Sequence, residues 1–158
     1  MRATPKTALA ILMLCAVAAC APPGRTITAD QLPHVKPGLW VEAVTDNGTA
    51  MGASQDCSDG ALHLPGALMP AGCTSQPVMR LTPNGAVVVD WSCSAGGVTT
   101  MVHTSAAGDF GASYLIDSKT TMTASGAAPQ ITTVHEAYKF LGPCPAGAAG
   151  AQASGAAD

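Results

Sequence analysis

Between residues 34 and 144 the chain is interrupted by Gly, Pro, Asn or Asp every ten residues or so, and the intervening stretches are rich in Thr and Val. Segments this short leave little room for helices, and their β-branched residues favour a pleated backbone. Leu39 to Thr45 is a first strand after Lys36-Pro37-Gly38, and Asp46-Asn47-Gly48 is a hairpin signal because both central positions tolerate positive φ. Met79–Thr82 and Ala86–Cys93 flank the turn Pro83-Asn84-Gly85. In the second arm Val87, Val89, Trp91 and Cys93 alternate with Ala86, Val88, Asp90 and Ser92, so one face is heavy and apolar. Val98–Ser105 follows. A turn at Ala107-Gly108-Asp109 leads into Phe110, Ala112, Tyr114 and Ile116 on one face, and Ser118–Ser125 and Ile131–Phe140 complete the run. A helix is conceivable only near Asp59 to Leu68, where Pro65-Gly66 interrupts it. The expected fold is all-β: an antiparallel meander curled into a small barrel or sandwich, because a flat sheet of this size leaves long adhesive edges. The pattern does not choose between the two.

The N-terminus sets a compartment. Arg2 and Lys6 precede an uncharged apolar run from Ala8 to Ala19, too short to span a bilayer, so residues 1–19 read as a removable export signal. Val17-Ala18-Ala19-Cys20 resembles the lipobox of bacterial lipoproteins, which implies that Cys20 is lipidated and becomes the mature N-terminus. Ordinary cleavage after Ala18 or Ala21 is the alternative, giving a secreted or soluble periplasmic protein. Loss of Cys15 with the signal and acylation of Cys20, for example with palmitate, would leave an even set of four thiols for an oxidising compartment. Ala21 after the cysteine, where aspartate would imply inner-membrane retention, favours the outer membrane facing the periplasm. The expected membrane partner is reached through this N-terminal lipid, since several acyl chains anchor firmly.

Past the signal, five basic residues face ten acidic ones with no basic run, which makes nucleic acid a poor partner. Residues 20–33 read as a lipidated flexible tether, residues 34–144 as one β-domain, and residues 145–158 as a disordered Ala/Gly-rich tail lacking large apolar groups. All six aromatic residues fall between 34 and 144, too few for two cores.

The remaining cysteines are Cys57, Cys73, Cys93 and Cys144. With no Cys-x-x-Cys pair they do not resemble a zinc site and read as disulfides. Cys73 and Cys93 lie either side of the Asn84-Gly85 turn, which favours pairing them and leaves Cys57 for Cys144, one of three connectivities.

The lipobox, Lys36-Pro37-Gly38-Leu39-Trp40, the cysteines at 57, 73 and 93, and Leu141-Gly142-Pro143-Cys144 together resemble the family catalogued as domain of unknown function 3617, small exported proteobacterial proteins with a Lys-Pro-Gly-Leu-Trp start and a Leu-Gly-x-Cys end. The resemblance covers residues 36–144. Here Val41 stands between Trp40 and Glu42, where the family has Glu directly after Trp, and the family's Met-rich stretch is reduced to Met51. It implies an exported, disulfide-bearing β-domain and carries no activity or catalytic residue.

Chemistry-bearing residues are scattered. His34, His63, His103 and His135 lack ligand spacing; His103 and His135 with Met79, Met101 and Met122 sketch a soft copper site, against which the methionines read as core filling and the histidines as surface groups. Asp46, Asn47, Asp56 and Asp59 lack calcium-loop spacing and read as turn residues. There is no Gly-x-Ser-x-Gly, and Glu42 and Asp90 read as single strand carboxylates rather than a catalytic pair. The expectation is therefore no enzyme, no metal and no cofactor: an exported lipoprotein acting as a non-catalytic periplasmic binding or interaction module for a small apolar ligand or an envelope protein. The alternative is a purely structural envelope lipoprotein without a pocket. Room along Val87, Val89, Trp91 and Phe110 would favour the first, solid packing there the second.

Overall fold

The computed structural model describes residues 24–64, 73 and 75–147. The export signal, Cys20 and all of the tail beyond residue 147 lie outside them. Eight strands are present: β1 (Arg25–Ile27), β2 (Gly38–Asp46), β3 (Thr49–Ser58), β4 (Val78–Leu81), β5 (Val87–Ala95), β6 (Val98–Asp109), β7 (Ser113–Ala124) and β8 (Gln130–Gly142). The only helical turn among the described residues is a 3-10 turn at Ala29–Gln31. No helix forms over residues 59–64, and the rest of the stretch where one was conceivable is outside the described part.

All strands belong to one antiparallel sheet in the order β1-β4-β5-β6-β7-β8-β2-β3. The all-β antiparallel meander is as the sequence implies, but the sheet is not closed into a barrel. Among the described residues there is no second sheet to make a sandwich, and connecting chain lies in its place. β1 lies at one end of the sheet and β2 near the other, so residues 28–37 must cross the sheet, and residues 59–64, leaving β3, begin a return over the same face. These crossings cover one face. Val35, Leu62 and Leu64 from them are buried with Ile27, Trp40, Val87, Val89, Trp91, Val102, Ala106, Tyr114 and Ile116. Backbone bonds from Val35 to Gly60 (3.0 Å) and from Lys36 to Phe110 (2.8 Å) tie the crossings to each other and to the β6–β7 turn.

The structure differs from the sequence reading in three places. The expected tether contains β1, which pairs with β4 and buries Ile27 at 3% exposure. Three residues are too few to show a period. Gly108 does not turn the chain. It stays in β6 opposite Tyr114 with φ +138°, and a Cβ there would meet the Ser113 carbonyl at 2.6 Å. Its role is close approach to β7. β7 then runs unbroken through Asp117, although its covered side changes from Tyr114 and Ile116 to Ser118 and Thr120. The Asn47-Gly48 hairpin forms with φ +46° and +80° as the sequence implies.

The two motifs at the ends of the domain meet in space. β2 lies beside β8, with Trp40 edge-to-face on Phe140 at 5.4 Å and the Lys36 ammonium 4.1 Å over the same ring. Gly38, at φ +141°, faces the Gly142 carbonyl, which a Cβ would meet at 2.5 Å. The Trp40 indole donates to the Lys36 carbonyl at 2.8 Å.

Disulfides join Cys57 to Cys144 and Cys73 to Cys93, with Cα atoms 5.8 and 5.4 Å apart and sequence separations of 87 and 20. The first straps the start of β2, since Leu39 pairs with both Cys57 and Gly142. In the loop-entropy picture the longer bridge contributes about 4–5 kcal/mol and the shorter about 3 kcal/mol. Replacing both Cys57 and Cys144 by Ser should therefore lower the unfolding free energy in a urea titration by more than replacing both Cys73 and Cys93. An unchanged midpoint in either variant would contradict the framework.

Candidate functional site

Cross-strand partners share a face, so the register assigns every strand side chain to the covered face or the open one. On the open face Val78, Asp90, His103 and Lys119 form one row across β4–β7, and Ser92, Met101 and Thr121 form the next. With Ser75 and Gln76 as a rim they enclose an open groove of about 740 Å³. The Ser75 hydroxyl holds the rim down by donating to the Ser92 carbonyl.

Charge in the groove is partly settled. The Arg80 guanidinium pairs with Asp90 Oδ2, and His103 Nδ1 lies 2.6 Å from Asp90 Oδ1. Asp90 thus serves two cationic or donor groups at once. Lys119 forms no ion pair among the described residues. Elsewhere in the groove Val78 and Met101 stay 44% and 51% exposed.

Of the row that the sequence offered as a ligand lining, only Trp91 borders this groove. Val87 and Val89 are completely buried, Trp91 is nine-tenths buried, and Phe110 packs against them. They form packed core on the covered face. The soft-metal grouping also separates. Met79 and Met122 lie on the covered face and Met101 on the open one. His135 pairs with Asp117, a different carboxylate from that of His103. No three ligating side chains converge among the described residues. Asn47 and Asp59 serve the backbone: Asn47 Oδ1 accepts from the Thr133 amide at 3.0 Å, tying the β2–β3 turn to β8, and Asp59 Oδ1 accepts from the nearby Ala61 amide at 2.9 Å.

One cluster escaped the sequence reading. On the covered face at the β2–β8 seam, the Tyr138 hydroxyl donates to Glu42 Oε1 at 2.8 Å and lies 3.0 Å from Glu136 Oε2. Tyr114 stacks on Tyr138 with centroids 4.5 Å apart. A phenol has one proton, so it cannot serve both carboxylates. The second contact is satisfied when Glu136 carries its own proton and donates to the phenol oxygen. Partial burial, helped by the negative charge of Glu42, pushes the Glu136 carboxyl up, against the lowering effect of the Tyr138 hydrogen bond. Burial and the same two carboxylates push Tyr114 up to about 12, and Tyr138 is raised for the same reasons. The available signal was Glu136-x-Tyr138 on one side of a strand, but Glu42 joins it only once β2 is known to pair with β8.

A raised carboxyl in the folded state favours folding at low pH, and its benefit is lost as pH rises from the unfolded value through the native one. Glu136→Gln, whose amide can donate to Tyr138 at any pH, should raise the melting temperature at pH 7.5 and change it little at pH 4. Parallel thermal melts check this. Equal destabilisation at both values would contradict the shared-proton arrangement.

No family model, curated protein or solved structure matches the chain.

Proposed function

We propose that this chain is an exported, membrane-tethered binding module without catalytic machinery, and that the open-face groove is where it binds. The observation that carries this reading is the groove itself, whose volume falls in the range of small-ligand sites. Val78 and Met101 offer apolar contact, and Lys119 offers the cation that is not already paired. That combination suits a small, largely apolar molecule with an acidic group. The lipobox and the resemblance to the domain of unknown function 3617 family support export and a lipid anchor at the outer membrane. Two disulfides support an oxidising compartment.

A structural envelope lipoprotein is the second reading, and the filled interior along Val87, Val89 and Trp91 favours it. Native mass spectrometry of the full chain, exported to a bacterial periplasm and purified in mild detergent, separates the two. Binding predicts a stoichiometric added mass that is lost on denaturation and diminished in Lys119→Glu. A bare mass, four hydrogens short for two disulfides, would leave the scaffold reading.

A further inference from the structure

The two edges of the sheet are not equivalent. At one edge β1 is three residues long, and the part of β5 beyond the reach of β4 is shielded: Cys73 is bonded to Cys93, and the Ser75 hydroxyl sits on the Ser92 carbonyl. At the other edge β3 runs for ten residues, pairs only with β2 among the described residues, and is exposed from Thr49 to Asp56. Half its backbone donors and acceptors therefore point into solvent. Exposed edges usually carry Lys, Pro or a twist that blocks pairing. β3 has neither Lys nor Pro, and its one charge is Asp56. Its register shift against β2 lies between Val44 and Thr45, and Gly52 beside it has φ +127°, which leaves Ala53–Ser58 regular. This stretch is held in place by the Cys57–Cys144 bridge, so the edge is already ordered before anything pairs with it.

We propose that β3 pairs with β3 of a second copy of this chain, antiparallel about a two-fold axis normal to the sheet, so that two eight-stranded sheets continue into one. The strand is self-complementary in the required sense. With the axis at Ser54 or at Gln55, Asp56 falls opposite Gly52 or Ser54 of the second copy, and no like charges oppose each other. The unequal edges also fix the outcome as a closed pair. Pairing β3 of one copy to β1 of another would join only three residues, so head-to-tail growth has little to hold it. The proposal does not depend on the groove, which lies over β4–β7 at the far side of the sheet.

Native mass spectrometry of the full chain in mild detergent, at micromolar concentration, should give twice the chain mass. Ala53→Lys with Gln55→Lys sets lysines against each other in both registers and should reduce this to a single mass, whereas Ala53→Ser with Gln55→Ser should keep the doubled mass. A single mass for the unmodified chain, or a doubled mass for the lysine variant, would overturn the proposal. Hydrogen exchange on the unmodified chain needs no variant to fold: amides in residues 50–57 should gain protection as concentration rises. Protection independent of concentration would overturn it equally.

Discussion

A single sheet has two faces, and only one of them can be left to water when its residues are this apolar. Among the described residues no second sheet and no helix beyond one 3-10 turn is available, so the constraint that organises the molecule is that the chain must cross its own sheet. Six inter-strand steps separate β1 from β2. At ~4.8 Å per step that is about 29 Å. The ten connecting residues reach at most ~36 Å when fully extended. The crossing has almost no slack, which keeps it on the sheet and drives Val35 into the core. Leu62 and Leu64 on the return path complete the cover. If β2 did not lie beside β8, neither crossing would be needed and the covered face would stand open.

What the sequence could reveal follows from how local each feature is. Turns are local, so Asn47-Gly48 and Asn84-Gly85 were legible from residue type alone. Disulfide pairing was half legible, because a turn brings Cys73 towards Cys93 and the other pair follows. Pairing of β2 with β8 is not local: Asp46 and Gln130, the facing ends of the two strands, are 84 positions apart, and no short pattern reports it. Everything that depends on that seam was hidden for the same reason, including Glu42 meeting Glu136 through Tyr138 and Gly38 nesting on Gly142. Gly108 misled because glycine serves both turns and close approaches, and only the neighbouring strand tells which. The groove could not be seen either. Its rows were alternate residues on four strands, and their alignment is set by register.

The two faces divide the labour. The covered face carries the aromatic residues, and where it thins out towards β2 and β8 a half-buried network of carboxylates and phenol takes over from hydrocarbon. The open face carries the Arg80–Asp90 ion pair and the hydrogen-bonding contacts of His103 with Asp90 and of His135 with Asp117, together with the exposed apolar side chains of the groove. Charged pairs at this degree of exposure add little to stability. Their effect is to hold side chains in fixed positions around the groove, and Lys119 stands among them with no ion-pair partner among the described residues.

The seam between β2 and β8 also orders events in time. Whether the chain emerges from a ribosome or from a membrane pore, residue 38 appears long before residue 142. The β2–β3 hairpin and the β4–β7 meander can form as they emerge, but the hairpin has nowhere to dock until the last long strand arrives. The Cys57–Cys144 bridge is subject to the same delay. Until then the row of Val87, Val89 and Trp91 lacks its cover, and the chain displays a bare apolar sheet. A protein built this way depends on something keeping that sheet from its neighbours during synthesis, and a chain cut short before Gln130, without β8 and Cys144, would lose the whole fold rather than one edge of it.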